Sequence, residues 1–177
     1  IHLQLILAAS SLVDKFGELE SIIKKDGLSI SKKLYTIIEG DKPVTMAKTT
    51  AIEISELANV FENSKPDYVF AIADRYETLS VAVAASYMNI PLLHLQGGEI
   101  TGSIDESVRH AISKFANIHF PSTLKSKKNL IKMGENPKYI FNVGCPSIDL
   151  AKSTTRTIKS LNEILKNYKF SAQNKIN

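Results

Sequence analysis

The chain has 177 residues, 44% of them hydrophobic and 23% charged, the balance of a soluble globular protein with a full core, which excludes disordered and collagen-like classes. Its net charge of +4, from 22 Lys and Arg against 18 Asp and Glu, is mild and scattered; it suits a small anionic substrate and argues against nucleic acid. The single cysteine, Cys145, excludes an intrachain disulfide and fits a reducing, cytoplasmic compartment.

Residues 1–13 are apolar but lack both Met and a basic flank, which reads as a chain cut upstream rather than as a secretory signal. No run is long enough to span a bilayer. The apolar period then alternates between strand-like and helical spacing, the mark of an α/β fold with a parallel sheet. Strands are expected at 3–9, 33–38, 68–73, 91–95, 118–120 and 140–143, with helices between them. The helix expected over 44–63 carries Ile52, Leu57, Val60 and Phe61 on its inner side and stops at Lys65-Pro66-Asp67. That over 75–88 has Ala82, Ala84 and Ala85 for close packing on the sheet. Another opens at Ser122 and ends near Met133 and Gly134. Cys145 lies in a turn between Gly144 and Pro146 with no histidine beside it, as a packing residue would. A last helical pattern spans 158–169, ahead of a polar tail.

Asp74 follows a buried strand, at the carboxyl end where open α/β sheets bind ligands. A local role competes, since Asp74-Arg-Tyr-Glu77 has capping-box spacing, and one residue can serve as both cap and catalytic carboxylate. Further along, Gly97 and Gly98 let the backbone approach a ligand, with Gln96 and Glu99 flanking them to bind sugar hydroxyls or handle a proton. On the following helix, helical spacing pairs Asp105 with Arg109 and Glu106 with His110 on a shared exposed side. Ile104, Val108, Ala111, Ile112 and Phe115 form the opposite, buried face. A capping box at Ser103-Ile-Asp-Glu106 would account for Glu106 and partly for Asp105, but not for Arg109, His110 or the double glycine. His94 and His119 fall within strands and read as core histidines. His, Cys and acidic residues do not recur at metal-binding spacing, so no metal is expected.

Residues 94–114 (His94-Leu-Gln-Gly-Gly-Glu-Ile-Thr-Gly-Ser-Ile-Asp-Glu-Ser-Val-Arg-His110 and the turn after it) resemble the signature of hydrolysing UDP-N-acetylglucosamine 2-epimerases of the sialic- and legionaminic-acid type. Ala73-Asp-Arg-Tyr-Glu77 and Val143-Gly-Cys-Pro-Ser-Ile-Asp149 resemble that family's acidic loop and later turn, in matching order. The resemblance implies the N-terminal half of a GT-B enzyme: a Rossmann-like, doubly wound parallel sheet over 1–150 without its opening strand and basic loop, with 151–177 starting the interdomain connection. It implies elimination of UDP across C1–C2 of UDP-N-acetylglucosamine and addition of water to give N-acetylmannosamine, for nonulosonic acid synthesis. No cofactor is implied; the implied partners are a nucleotide-sugar substrate and a second copy in a cytoplasmic homodimer, with neither nucleic acid nor membrane.

By the same resemblance Asp74 and Asp105 match acids of the proton transfers, while Arg109 and His110 line the cleft with Gln96, Gly97, Gly98 and Thr101. Gln96 falls where better-known members carry a third catalytic acid, and an amide cannot act as a general base. The departure points to a subgroup in which Glu99 or Glu106 takes over, as for a legionaminic-type substrate. A GDP-sugar 2-epimerase, a GT-B glycosyltransferase and a non-catalytic sugar-nucleotide-binding module are the rival readings. Without the second domain, this stretch alone is expected to show little or no turnover.

Overall fold

Short parallel strands alternate with helices through most of the chain. The structure, a computed structural model, describes residues 1–13, 15, 19–40, 42–72 and 75–153. Asp74, the end of the strand expected to reach Ala73, and the helical pattern at 158–169 lie outside these residues. The chain divides into two compact units, Ile1–Val143 and Gly144–Asn177. The first runs β1 (Leu5–Ala8), α1 (Leu19–Lys25), β2 (Ile30–Leu34), α2 (Pro43–Ser64), β3 (Val69–Ile72), α3 (Tyr76–Tyr87), β4 (Leu92–Leu95), α4 (Ile104–Phe115), β5 (Ile118–Phe120) and α5 (Leu124–Lys132). The described part of the second unit holds α6 (Pro146–Ser153). Its entry is the Gly144-Cys145-Pro146 turn, where the Cys145 carbonyl accepts the Ile148 and Asp149 amides.

β1 pairs in parallel with β2, and β3, β4 and β5 form a second parallel sheet in that order. Parallel neighbours need a crossover; α3 carries the chain from β3 to β4 and α4 from β4 to β5. The register sets Ile72 beside Leu95 and Leu95 beside Phe120, so these strands end together. One face of β3 buries Val69 and Ala71 while Phe70 and Ile72 are exposed on the other, as a period of two requires. On that outer face Phe70 stacks on Phe120 with ring centroids 5.8 Å apart.

The core joins Leu34, Leu57, Phe61, Val69, Ala71 and Leu92 to the alanine face of α3. Ala82, Ala84 and Ala85 are buried as expected, because small side chains let α3 lie close to the sheet. On α2 the buried stripe is Thr49, Glu53, Leu57 and Phe61, a run of i,i+4 neighbours. Ile52, expected inside, is 41% exposed, and Glu53 takes the inner position beside it. α2 ends where Lys65 turns left-handed and donates its amide to the Phe61 carbonyl.

Two strands differ from expectation. β2 lies at Ile30–Leu34 rather than 33–38 because its partner β1 stops at Ala8, where Ala9 turns to a φ of 46°. Beyond it the Ile38 amide is satisfied by the Thr49 hydroxyl instead of a strand. At 140–143 only Ile140 forms a parallel bridge, to His119. After it the Val143 amide and the Asn142 side chain both donate to the Pro121 carbonyl.

Glu53 is the costly member of the core. Burial, and next the charge of Glu77, push its carboxyl up to about 8, against the opposing Thr36 hydroxyl. The folded chain therefore keeps a proton that the unfolded chain releases near the ordinary value of 4.5, so stability falls as pH rises between these two values. Glu53→Gln removes that component: its unfolding midpoint should gain on the native chain progressively from about pH 4.5 to 8. Parallel midpoint curves for the two proteins would refute it. Phe61→Ala should cost about 3–5 kcal/mol in denaturant titration through the cavity it leaves.

Candidate active site

The site is built where β4 stops. Gln96 adopts a left-handed φ of 63°, a conformation that costs a non-glycine residue about 1–2 kcal/mol. It is held there by its amide, which donates to the Phe120 carbonyl at the end of β5 (3.0 Å). The next two residues have to be glycine. A Cβ on Gly97 would lie 2.8 Å from the Ser113 hydroxyl and 2.9 Å from His94 Nδ1. These two groups meet at 3.1 Å in the interior below the turn. Gly98 has a φ of 80°, and a Cβ there would stand 2.4 Å from the Ser126 carbonyl oxygen of α5. The Asn129 side chain grips the turn from the same helix, donating to the Gly98 carbonyl.

The chain then runs from Glu99 to Gly102, tied down by two residues of α4. Arg109 Nη1 donates to the Glu99 carbonyl at 2.8 Å. Glu106 Oε2 accepts the amides of Thr101 (2.8 Å) and Gly102 (2.6 Å). Those amides hold the Glu106 carboxyl below the usual carboxylate range, with a smaller contribution from His110. The expected capping box does not form. Ser103 is the N-cap, but its side chain makes no capping bond, and Glu106 reaches past it to the preceding amides.

Arg109, expected on an exposed face, is buried at 4% exposure, whereas Ile104, expected inside, is 68% exposed. The buried face of α4 is Val108, Arg109, Ile112 and Ser113. It is turned toward β4 and the glycine turn, and Ile104 sits a turn before it. Burial lowers the pKa of the Arg109 guanidinium, and the carbonyl of Glu99 supplies part of its solvation. Asp105 and His110 are half-buried on the same helix, and His110 Nε2 is buried without a hydrogen-bond partner among the described residues. Glu99 is half-buried and Thr101 exposed. The fold thus gathers Gln96, Gly97, Gly98, Glu99, Thr101, Asp105, Glu106, Arg109 and His110 on one turn and the helix that follows.

His94 and His119 are core residues, as expected. His119 Nε2 lies 3.3 Å from Glu135 Oε2, whose other oxygen is 2.6 Å from Lys114 Nζ. Burial pushes the His119 imidazole down, and Glu135 partly offsets this. Sequence reasoning missed Ser113, Ser126 and Asn129, the supports beneath the turn, because nothing in their spacing marks a contact formed by tertiary packing. It also missed the links at the ends of β1 and β3, where the Ser10 hydroxyl donates to Glu77 Oε1 and Arg75 Nε donates to the same oxygen at 3.1 Å. The N-cap of α3 is Arg75, and Glu77 ties these two loops together. Among the described residues, no three or more His, Cys, Asp or Glu side chains are grouped to hold a metal ion, and no helix is long and apolar enough to cross a membrane.

A parallel α/β sheet with a glycine turn, a buried arginine and an acidic helix start at its carboxyl end is the ligand-binding arrangement of open α/β enzymes. The chain matches the UDP-N-acetylglucosamine 2-epimerase family over residues 1–176 and belongs to that family. It is 38% identical over 164 residues to the GDP/UDP-N,N'-diacetylbacillosamine 2-epimerase (hydrolyzing) of Campylobacter jejuni, covering 92% of this chain and 41% of that protein. To the UDP-N,N'-diacetylbacillosamine 2-epimerase (hydrolyzing) of Legionella pneumophila it is 39% identical over 161 residues, covering 89% and 43%. The fold is similar to that of the UDP-GlcNAc 2-epimerase from Neisseria meningitidis crystallised with UDP-GlcNAc, with a TM-score of 0.68, 23% identity, and 88% of this chain against 43% of that one. The chain therefore spans about two fifths of the length of the curated relatives it matches.

Gly98→Ala should destabilise the chain by about 2–5 kcal/mol, the sum of a left-handed alanine and overpacking against α5. Thermal or denaturant unfolding measures it, and a loss below about 1 kcal/mol would mean that the turn does not rest on the Ser126 carbonyl.

Proposed function

We propose that the whole protein is a hydrolysing 2-epimerase of a UDP-activated 2-acetamido sugar, serving nonulosonic acid biosynthesis. Residues 1–150 form its Rossmann-like N-terminal domain and 151–177 begin the connection to a second domain. The observation that carries this reading is the braced turn from Gln96 to Gly102, which brings an amide, backbone groups and the acidic start of α4 to the carboxyl end of the sheet.

The chemistry asks for a base near C2 and positive charge near the leaving diphosphate. The base takes the C2 proton, the C2–H electron pair forms the C1=C2 bond, and the C1–O bond breaks with its pair leaving on UDP. Water then adds, hydroxyl to C1 and a proton to C2 from the opposite face. The sequence is redox-neutral and requires no redox cofactor.

Within this scheme Glu106 is a brace rather than a base, since its carboxylate is committed to two amides that favour the ionised form. Asp105, half-buried on the first turn of α4, carries a proton step with Asp74, and Glu99 stands ready at the turn. Gln96, Thr101, Arg109 and His110 position the sugar and its phosphates. Gln96 binds rather than transfers a proton, and the names of the Campylobacter and Legionella relatives favour an N,N'-diacetylbacillosamine nucleotide over UDP-N-acetylglucosamine as the preferred substrate. The protein works in the cytoplasm as a homodimer.

Incubation of the whole protein with UDP-N,N'-diacetylbacillosamine, its GDP counterpart and UDP-N-acetylglucosamine, without an acceptor, should release the nucleoside diphosphate and the C2-epimerised sugar, with one deuterium at C2 in D2O. A requirement for an acceptor would identify a glycosyltransferase instead. Asp105→Asn should lower kcat by about 10²–10⁴ with little change in melting temperature; retention of wild-type kcat would exclude Asp105 from the proton steps. The 177-residue chain alone should show little or no turnover.

A further inference from the structure

The inner stripe of α2 brings Glu53 to Thr36, which follows β2, and to Glu77 on the first turn of α3. All three side chains are buried, Glu53 at 2% exposure, and Thr36 Oγ1, Glu53 Oε2 and Glu77 Oε2 have no hydrogen-bond partner. The other oxygen of Glu77 takes the Ser10 hydroxyl and Arg75 Nε, so this carboxylate ties the loop after β1 to the loop after β3. Among the described residues, the cation paired with these two acids is Arg75, and it stands on Glu77. Two buried carboxylates with one guanidinium between them do not both ionise readily, and the one without the cation keeps its proton. That one is Glu53. The Tyr76 phenol beside the pair is pushed up by burial and then by the charge of Glu77, and so stays neutral while Glu53 titrates. Lys15 and Glu39 share a recess with Arg75 and Tyr76.

We propose that the proton on Glu53 is a lock on the loops after β1 and β3: while Glu53 holds it, Glu77 keeps the two loops tied, and when Glu53 loses it, repulsion between the two carboxylates opens the tie. The loops give way before the core does. Glu53 lies midway along a 22-residue helix, on the same stripe as Leu57 and Phe61, whereas Glu77 is at a helix start and its partner Arg75 has a side chain already 52% exposed. The tied form holds the proton more firmly than the open form, so the tie is strongest at low pH, weakens as pH rises to about 8 and is level above it. Arg75 directly follows Asp74 in the chain. The lock therefore deepens the epimerase reading, on which its relevance to turnover rests, by anchoring the loop that bears one acid of the proton steps.

The test uses the whole protein, with hydrogen exchange read at single amides over about pH 5 to 9 and turnover measured in parallel. The Val13 and Thr78 amides donate within the two loops, to the Ser10 and Arg75 carbonyls. They should exchange through a local opening of lower free energy than that of β4. Their protection, corrected for the intrinsic rate at each pH, should fall about tenfold in total as pH rises to about 8 and then level. Glu53→Gln, neutral at every pH, should abolish this dependence and leave both amides protected throughout. Thr36→Val removes the hydroxyl that favours the ionised form, so protection should go on falling to a higher pH before it levels; this variant carries the test if Glu53→Gln does not fold. Loop protection independent of pH, loop amides that open only together with β4, a pH dependence that persists in Glu53→Gln, or a levelling point that stays or drops in Thr36→Val would each overturn the proposal. Loops that respond as expected in a protein that epimerises no sugar nucleotide would refute the epimerase reading and leave the lock standing. Turnover with pH-independent loop protection would do the reverse.

Discussion

The arrangement at the carboxyl end of the sheet depends on the close seating of the Gly97-Gly98 backbone against what lies below it. The turn touches the His94 and Ser113 pair on one side and the Ser126 carbonyl on the other, at distances that admit no side chain. Because interiors are close-packed and deform little, the position of the turn is set by β4, α4 and α5 together. Gln96 is held left-handed at the entrance to it by a hydrogen bond to β5. Strain of this kind persists only where surrounding structure over-determines it, and it collects at functional sites.

Four carboxylates of the described chain illustrate how environment separates residues of one chemical type. Glu106 faces two backbone amides and is stabilised as an anion. Glu53 is buried and feels the charge of another carboxylate, Glu77, and is held protonated into the neutral range. Glu77 is paired with a hydroxyl and a guanidinium, and Glu135 bridges an exposed lysine to a buried histidine. Glu77, Glu106 and Glu135 each link elements distant in sequence or brace a loop.

Much of the fold was legible in the sequence where a local signal had no competitor. The strand at Ile118–Phe120, the alanine face of α3 and the extent of α2 follow from periodicity and punctuation alone. β2 was displaced because a strand ends where its partner ends, and β1 turns away at Ala9. The inner faces of α2 and α4 were misjudged at Ile52 and Ile104 for a related reason. Hydropathy ranks isoleucine above glutamate or arginine, but a helix buries whichever positions its neighbours cover, and Glu53 and Arg109 stand on those stripes.

The sequence by itself determined the alternation of strands and helices, the glycine turn, the acids and cations gathered after it, and the family whose signature they form. These are properties of residue order and of local backbone preference. Only the tertiary structure decided which charged groups are committed to structure, because that depends on what folds against them: Arg109 on the Glu99 carbonyl, Glu106 on the Thr101 and Gly102 amides, Glu77 between Ser10 and Arg75. A charge takes its role from the donors, acceptors and solvent that surround it, and in this chain those are supplied by elements up to 67 residues away.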